Sequence, residues 1–199
     1  MSSVPSYRFL RGDAHPKYWT PMHASGFPIA KLNRGELLDL KVEEPVLVRL
    51  SAWADTPTDF MEQPFVVVSD RMRRALERAG VSNVQYYPAR LQAELSEHIE
   101  SGYWLANVVG RVACVDAVAS GLTDDDMTIS DCQALVLDPQ RTYGLGLFRL
   151  AEDPRMIVVA PRVQASLHEA KLVGVLMQDP ALYKGGSAVS RAELEPLPT

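Results

Sequence analysis

FVVVSDRMRRALERAGVSNVQYYP, residues 65–88, reads as strand, helix and strand in immediate succession, and this reading decides the fold class. Phe65-Val66-Val67-Val68 is too short and too β-branched for a helix, and an apolar run without polar alternation describes a strand covered on both faces. Such a strand lies inside a sheet. Met72, Ala75, Leu76 and Ala79 then fall at i, i+3, i+4 and i+7, which puts four apolar side chains on one face of a 3.6-residue period. Arg71, Arg73, Arg74, Glu77 and Arg78 take the solvated faces. Ser69 or Asp70 can accept a hydrogen bond from an unpaired first-turn amide, and Gly80 can take the left-handed conformation that ends the helix. Val84-Gln85-Tyr86-Tyr87 opens the next strand.

The pattern returns ninety-one positions later. Val67, Val68, Arg71, Leu76 and Ala79 recur as Val158, Val159, Arg162, Leu167 and Ala170, and Val163 answers Met72. Pro161 stands at the first helical position, where its missing N–H costs nothing. Two strand–helix units of similar length share such spacing without common descent, and that simpler reading is preferred to duplication.

Around these units, Tyr103–Val109 and Arg111–Val115 read as strands with a bend at Gly110, and Ala134–Leu137, Leu145–Leu150 and Met156–Val159 as further strands. Leu91, Leu95 and Ile99 at fourfold spacing propose a short helix in the connection before Tyr103, with Glu94, Glu97 and Glu100 outward. Gly121–Asp131 is a polar loop. Upstream, Pro5, Pro16, Pro21, Pro28, Pro45 and Pro57 interrupt every pattern, leaving two short extended segments at Leu37–Leu40 and Val46–Leu50, with Trp19 and Trp53 as core or loop anchors. The expected architecture is α+β: a mixed, largely antiparallel sheet of about six to nine strands with two strand-helix-strand units packed on it. One domain is expected over residues 1–199, with an irregular N-terminal layer at 1–60, a core at 65–177 and a frayed tail at 185–199.

Composition narrows the function. Hydrophobic residues at 47% and charged residues at 23% suit a folded chain that needs neither metal nor disulfide to hold it together. A formal charge of −5 argues against a nucleic-acid binder, whose phosphate contacts demand a basic surface, and favours a basic protein partner. The arginines of 71–78 are read as a solvated helix face. Met1–His15 lacks the apolar run of a signal peptide and no segment has the length of a membrane span, so a cytoplasmic protein is expected. Cys114 and Cys132 lack metal-ligand spacing and are read as reduced, buried thiols.

No motif assigns a catalytic residue, a cofactor or a metal. His15, His23, His98 and His168 form no ligand pair, Gly144-Leu145-Gly146 is no dinucleotide fingerprint, and neither Ser101-Gly102 nor Ser120-Gly121 has a nucleophile frame. A triad assembled from distant residues stays open, because geometry and not chain order defines one. Asp124-Asp125-Asp126 with Asp131 invites a calcium reading, but an EF-hand loop would need glycine and glutamate where Ile129 and Leu135 stand. The plainer reading is a solvated loop with capped turns; the alternative is a negative patch that docks on a basic partner.

Val67-Val68-Ser69 with its helix, Val84-Gln85-Tyr86-Tyr87-Pro88, Asn107-Val108, Asp116 with Ser120, Leu147-Phe148-Arg149 and the Ile157–Gly174 unit resemble, in order and spacing, immunity-protein family eleven of bacterial polymorphic toxin systems. The resemblance spans Phe65 to Leu176. It implies a non-enzymatic cytoplasmic antidote to a secreted toxin encoded beside it, often a nuclease of the His-Asn-His type, and it brings no catalytic residues. The expected toxin-contacting residues are Asp124, Asp125, Asp126 and Asp131, joined by Glu94, Glu97 and Glu100. Two other readings remain: a small enzyme whose pocket is built from distant residues, and a homo-oligomeric scaffold.

Overall fold

Residues 65–88 fold as their pattern predicts. Val67–Ser69 form a fully buried strand, Asp70–Arg78 a helix and Val84–Ala93 a long strand. The Ser69 hydroxyl accepts the Met72 amide at 3.2 Å and so caps the helix, and Gly80 ends it at φ 74°. Met72, Ala75 and Leu76 are buried. On the wet side Asp70 pairs with Arg73 and Arg74, where a first-turn carboxylate also opposes the helix dipole.

The structure, a computed structural model, describes residues 6–51, 56–94, 96–122, 128–132, 134–183 and 195–196. In chain order its elements are β1 (Arg8–Gly12), β2 (Pro21–Ala24), α1 (Ile29–Asn33), β3 (Val46–Leu50), β4 (Phe60–Met61), β5 (Val67–Ser69), α2 (Asp70–Arg78), β6 (Val84–Ala93), β7 (Glu100–Val108), β8 (Arg111–Val112), β9 (Leu147–Leu150), β10 (Ile157–Val159), α3 (Pro161–Glu169), β11 (Val175–Gln178) and β12 (Glu195–Pro196). The fold is α+β, with two six-stranded sheets in place of the single sheet expected. The first runs β12-β11-β1-β10-β9-β8 and the second β2-β3-β6-β7-β5-β4. Each holds one parallel pair, β8 with β9 and β3 with β6, and is otherwise antiparallel.

The echo in sequence is an echo in space. In each sheet a strand-helix-strand unit leaves a gap one strand wide: β5 and β6 flank β7, and β10 and β11 flank β1. Both inserted strands run antiparallel to both neighbours. In the second sheet the inserted strand follows its unit; in the first it is the opening strand of the chain. The helices α2 and α3 pack on each other, and the Ser166 hydroxyl donates to the Ala75 carbonyl at 2.8 Å, a pair ninety-one residues apart. Val68 and Val159, Met72 and Val163, Leu76 and Leu167 enter one shared core between the sheets.

Strand alternation sends the intervening residues outward, into two further cores. Phe65, Val67, Tyr87, Ala89, Leu91 and Leu105 face a layer built from Trp19, Leu32 and Leu38. Phe9, Phe148, Leu150 and Val158 face one built from Cys114, Val115, Ile129, Leu135 and Tyr183. The central strands of both sheets are therefore covered on both faces, the physical reason they read as unbroken apolar runs.

Three local expectations are corrected. Among the described residues 91–101 hold no helix: β6 continues to Ala93, because Tyr87, Ala89, Leu91 and Ala93 alternate onto one buried face, while Ile99 is exposed. Ala134–Leu137 makes only an isolated bridge, Leu137 to Val115. The N-terminal region is more than an irregular layer, since β1 occupies the interior of the first sheet, with Phe9 opposite Val158 on one side and Gln178 on the other. Trp19 is a buried anchor against Tyr103, and Trp53 lies outside the described residues, as does most of 185–199.

Two buried polar side chains tie the halves together. Asp59 accepts the Ser69 hydroxyl through one carboxylate oxygen and the Val173 amide, at 2.7 Å, through the other. Its backbone pairs with the same two residues. Arg149, on β9, sends Nε to the Val108 carbonyl at 3.2 Å and Nη1 to the Pro154 carbonyl at 2.6 Å, and Gly35 at φ 64° leaves room for it. Burial lowers its pKa to about 10, so it stays charged at neutral pH. Asp59→Ala strands a buried hydroxyl and a buried amide, and should lower unfolding free energy by about 2–4 kcal/mol, read from the urea midpoint. An unshifted midpoint would deny Asp59 this joining role.

Candidate functional site

Of the acidic residues singled out in the sequence, the described ones fall on two separate parts of the molecule. Asp124, Asp125 and Asp126 lie outside the described residues. Asp131 ends a 3-10 turn, Ile129–Asp131, and its carboxylate accepts the Thr128 amide at 2.8 Å and the Thr128 hydroxyl at 3.0 Å. These two donors hold its pKa below the usual carboxylate value, although it is fully exposed. Glu94, Glu97 and Glu100 belong instead to the β6–β7 connection of the second sheet. Glu94 and Glu97 are exposed, and Glu100 starts β7 with its carboxylate 3.3 Å from His98 Nε2.

The described residues of 113–146, which connect β8 to β9, form the layer that covers the outer face of the first sheet. Cys114, Val115, Ile129 and Leu135 point inward and are buried. The layer is stitched to itself: Asp116 N–H donates to the Val136 carbonyl at 2.9 Å, Asp138 N–H to the Cys114 carbonyl at 2.7 Å, and Arg141 Nη1 to the Val115 carbonyl at 3.3 Å. The Ser120 hydroxyl takes the Val136 amide at 2.9 Å. Outward, the layer presents apolar groups to water, with Val118 84% and Tyr143 85% exposed and Val136 and Leu145 less so.

In sequence, the connection between β8 and β9 holds six carboxylates, at Asp116, Asp124, Asp125, Asp126, Asp131 and Asp138, against one guanidinium, Arg141, and of these Asp116, Asp131, Asp138 and Arg141 are among the described residues. The rest of the chain balances, so this single connection accounts for the whole formal charge of −5. The acidic triplet is visible in sequence; that its element carries the entire imbalance emerges once β8 and β9 bound it.

Two clefts lie elsewhere. The larger, about 560 Å³, opens beside β1 and β4 and is lined by Arg11, His15, Trp19, Thr20, Glu62 and Gln63 among others. Glu62 accepts Arg11 Nε at 3.0 Å and the Gly12 amide at 2.7 Å, while Arg11 Nη1 reaches Gln178 at 2.6 Å. Burial raises the Glu62 pKa, and Arg11 and the amide pull it back. The smaller, about 250 Å³, gathers Asp59, Ser69, Arg71, Glu100 and Tyr103. Its Ser69 hydroxyl is engaged by the cap of α2 and by Asp59, and the Tyr103 phenol is pushed up, first by burial and then by Asp59 and Glu100. Among the described residues no three His, Cys, Asp or Glu side chains converge as a metal would require.

Residues 9–181 match the Immunity protein family (Imm11). The chain belongs to that family. Its match starts at Phe9, well before the stretch in which the resemblance is legible by eye, because β1 is an integral strand of the first sheet. No curated protein matches the chain significantly. Membership gives this immunity protein an antidote role toward a cognate toxin.

Both thiols of the immunity protein are free, Cys114 buried and Cys132 half-buried. Burial, aided by Glu152 and Asp138, pushes the Cys114 thiol from 9.0 up to about 12. At pH 8 the folded protein should therefore leave Cys114 unmodified by a thiol reagent, and denaturant should expose it. A raised folded pKa means the unfolded chain ionises first, so this contribution to stability is full below pH 9 and is lost as pH climbs toward about 12. Cys114→Ala should flatten that alkaline decline; rapid labelling of Cys114 in the folded chain would show instead that the covering layer opens.

Proposed function

We propose that this immunity protein neutralises a nuclease toxin in the cytoplasm by binding over its substrate-contacting face, and transforms nothing itself. The observation that carries the proposal is that the whole net charge of a family member falls, in sequence, within the one connection between β8 and β9, while the remaining residues balance. A nuclease must present a basic surface to phosphate, and an acidic protein that covers it competes with the substrate. Opposite charge also speeds the encounter. On this reading Asp124, Asp125, Asp126 and Asp131 contribute to the toxin contact, joined by Glu94, Glu97 and Glu100.

The reading is tested with the toxin encoded in the adjacent reading frame. Co-expression should rescue growth and co-purify a complex, and the purified toxin should cleave nucleic acid only when the immunity protein is absent; a toxin without nuclease activity would remove the nuclease assignment. Reversing Asp124, Asp125 and Asp126 to lysine should slow association about tenfold at low salt and weaken its salt dependence. Unaltered kinetics in that variant would take the triplet out of the contact.

A further inference from the structure

We infer that the α2 side of the second sheet, where β3 and β6 run on beyond the helix, is a docking surface for an acidic segment of the toxin. The inference rests on the antidote reading and adds to it a contact of opposite sign. Alternation along β6 sends Tyr87, Ala89, Leu91 and Ala93 into the core on one side and Tyr86, Pro88, Arg90 and Gln92 to the other, the side on which α2 packs. Tyr86 and Trp104 lie against the shared core there. Farther along the strands that cover ends: Leu47 and Pro88 are half-buried, and Arg49 and Arg90 are exposed.

The strand register sets these side chains beside one another. Pro88 stands opposite Trp104 of β7, Arg90 opposite Leu47 of β3, and Arg49 opposite Gln92. Residues directly opposite share a face of the sheet, so the set forms one strip. Arg49 Nη1 donates to Gln92 Oε1 at 2.5 Å, as a common side requires. From the helix, the Arg73 guanidinium lies 4.2 Å over the Trp104 ring centroid and borders the strip. The result is an apolar floor of Leu47, Pro88 and Trp104 set among guanidinium groups.

Charge selects the occupant. Arg49 is bonded to a neutral amide and Arg90 to no group among the described residues, so neither charge is neutralised. The carboxylates of the adjoining helix are engaged, Asp70 with Arg73 and Arg74 and Glu77 with Arg73, and α2 sets four arginines against those two. Glu94 follows past the end of β6. A guanidinium fork matches a carboxylate in geometry as well as in charge. Nucleic acid suits the strip less: the chain carries −5, and Arg73 already occupies a face of Trp104 on which a base would stack. A second copy presenting the same strip would set arginine against arginine.

The experiment uses the full chain and a catalytically inactive form of the toxin from the adjacent reading frame, with binding kinetics, light scattering and melting temperature measured together. Arg90→Glu and Arg49→Glu should each raise Kd about tenfold or more, with melting temperatures within about 2 °C of the parent because both side chains are exposed. Lys31→Glu, an equal reversal on α1 across the sheet, should leave Kd within about twofold. Arg90→Gln, which removes the charge without reversing it, should weaken binding about threefold or more and serves where Arg90→Glu lowers the melting temperature. The sign decides: a strip outside the contact would let the added negative charge leave binding to a basic toxin unchanged or tighten it, which overturns the strip and leaves the antidote reading intact. An equal loss in Lys31→Glu assigns the effect to net charge and overturns it too. A parent oligomer that Arg90→Glu dissociates gives the strip to a second copy, and an oligonucleotide bound by the parent and lost in Arg90→Glu gives it to nucleic acid; either overturns the acidic segment. Absence of any complex with the parent chain overturns the antidote reading, and the strip with it.

Discussion

The packing of α2 on α3, closed by the Ser166 hydroxyl on the Ala75 carbonyl, joins two strand–helix units into one core and leaves each sheet with an uncovered second face. An antiparallel sheet can leave one face to water, but these strands are apolar on both, and burying that surface is worth roughly 25 cal/mol per Å². Covers are therefore obligatory. The segment before β3, with α1, Trp19 and Leu38, closes the second sheet, and the β8–β9 connection closes the first. Each cover is apolar within and free of packing constraints without, so one of them can hold Val118 and Tyr143 exposed to water.

The polar groups inside the joint do a different job from the core. Asp59 fixes the start of α2 to the turn after α3, with Arg71 reinforcing it through the Ala170 and Lys171 carbonyls at 3.0 and 2.8 Å. Arg149 crosses from β9 to the end of β7, and no carboxylate among the described residues pairs with it. A buried guanidinium held by carbonyls gains less than its desolvation costs when compared with an apolar side chain of the same size. What it contributes is a tie between the sheets: Nη1 is held by the Pro154 carbonyl of its own β9–β10 connection, while Nε reaches the Val108 carbonyl at the end of β7.

The parts of this fold legible in sequence were those whose burial repeats. β5–α2 and β10–α3 show period and caps together, so start, face and end could all be read. Leu91–Ile99 misled because a fourfold spacing satisfies a strand as well as a helix, and the decisive alternation lies upstream, at Tyr87 and Ala89. β1 escaped because five residues, RFLRG, carry two arginines and show no recognisable unit until β10 and β11 are seen on either side of it. For the candidate site, the acidic triplet was visible as a run. The exposure of Val118 and Tyr143 in the same connection was not, since single apolar residues in a connection have no period.

Sequence offered two readings of the acidic loop, carboxylates that build turns and carboxylates that face a partner, and the described aspartates of the connection build turns. Asp131 accepts the Thr128 amide and hydroxyl, Asp138 accepts the Gln140 amide at 2.9 Å, and Asp116 accepts the Ala119 amide at 3.0 Å. A donor aimed at a carboxylate stabilises its ionised form, and the Thr128 amide and hydroxyl accordingly hold the Asp131 carboxyl below the usual carboxylate range. Each such side chain still has lone pairs facing water. The turns that shape the cover thus depend on the same ionised groups that give it its field, and the mutual repulsion of those groups is offset locally by the amides they accept.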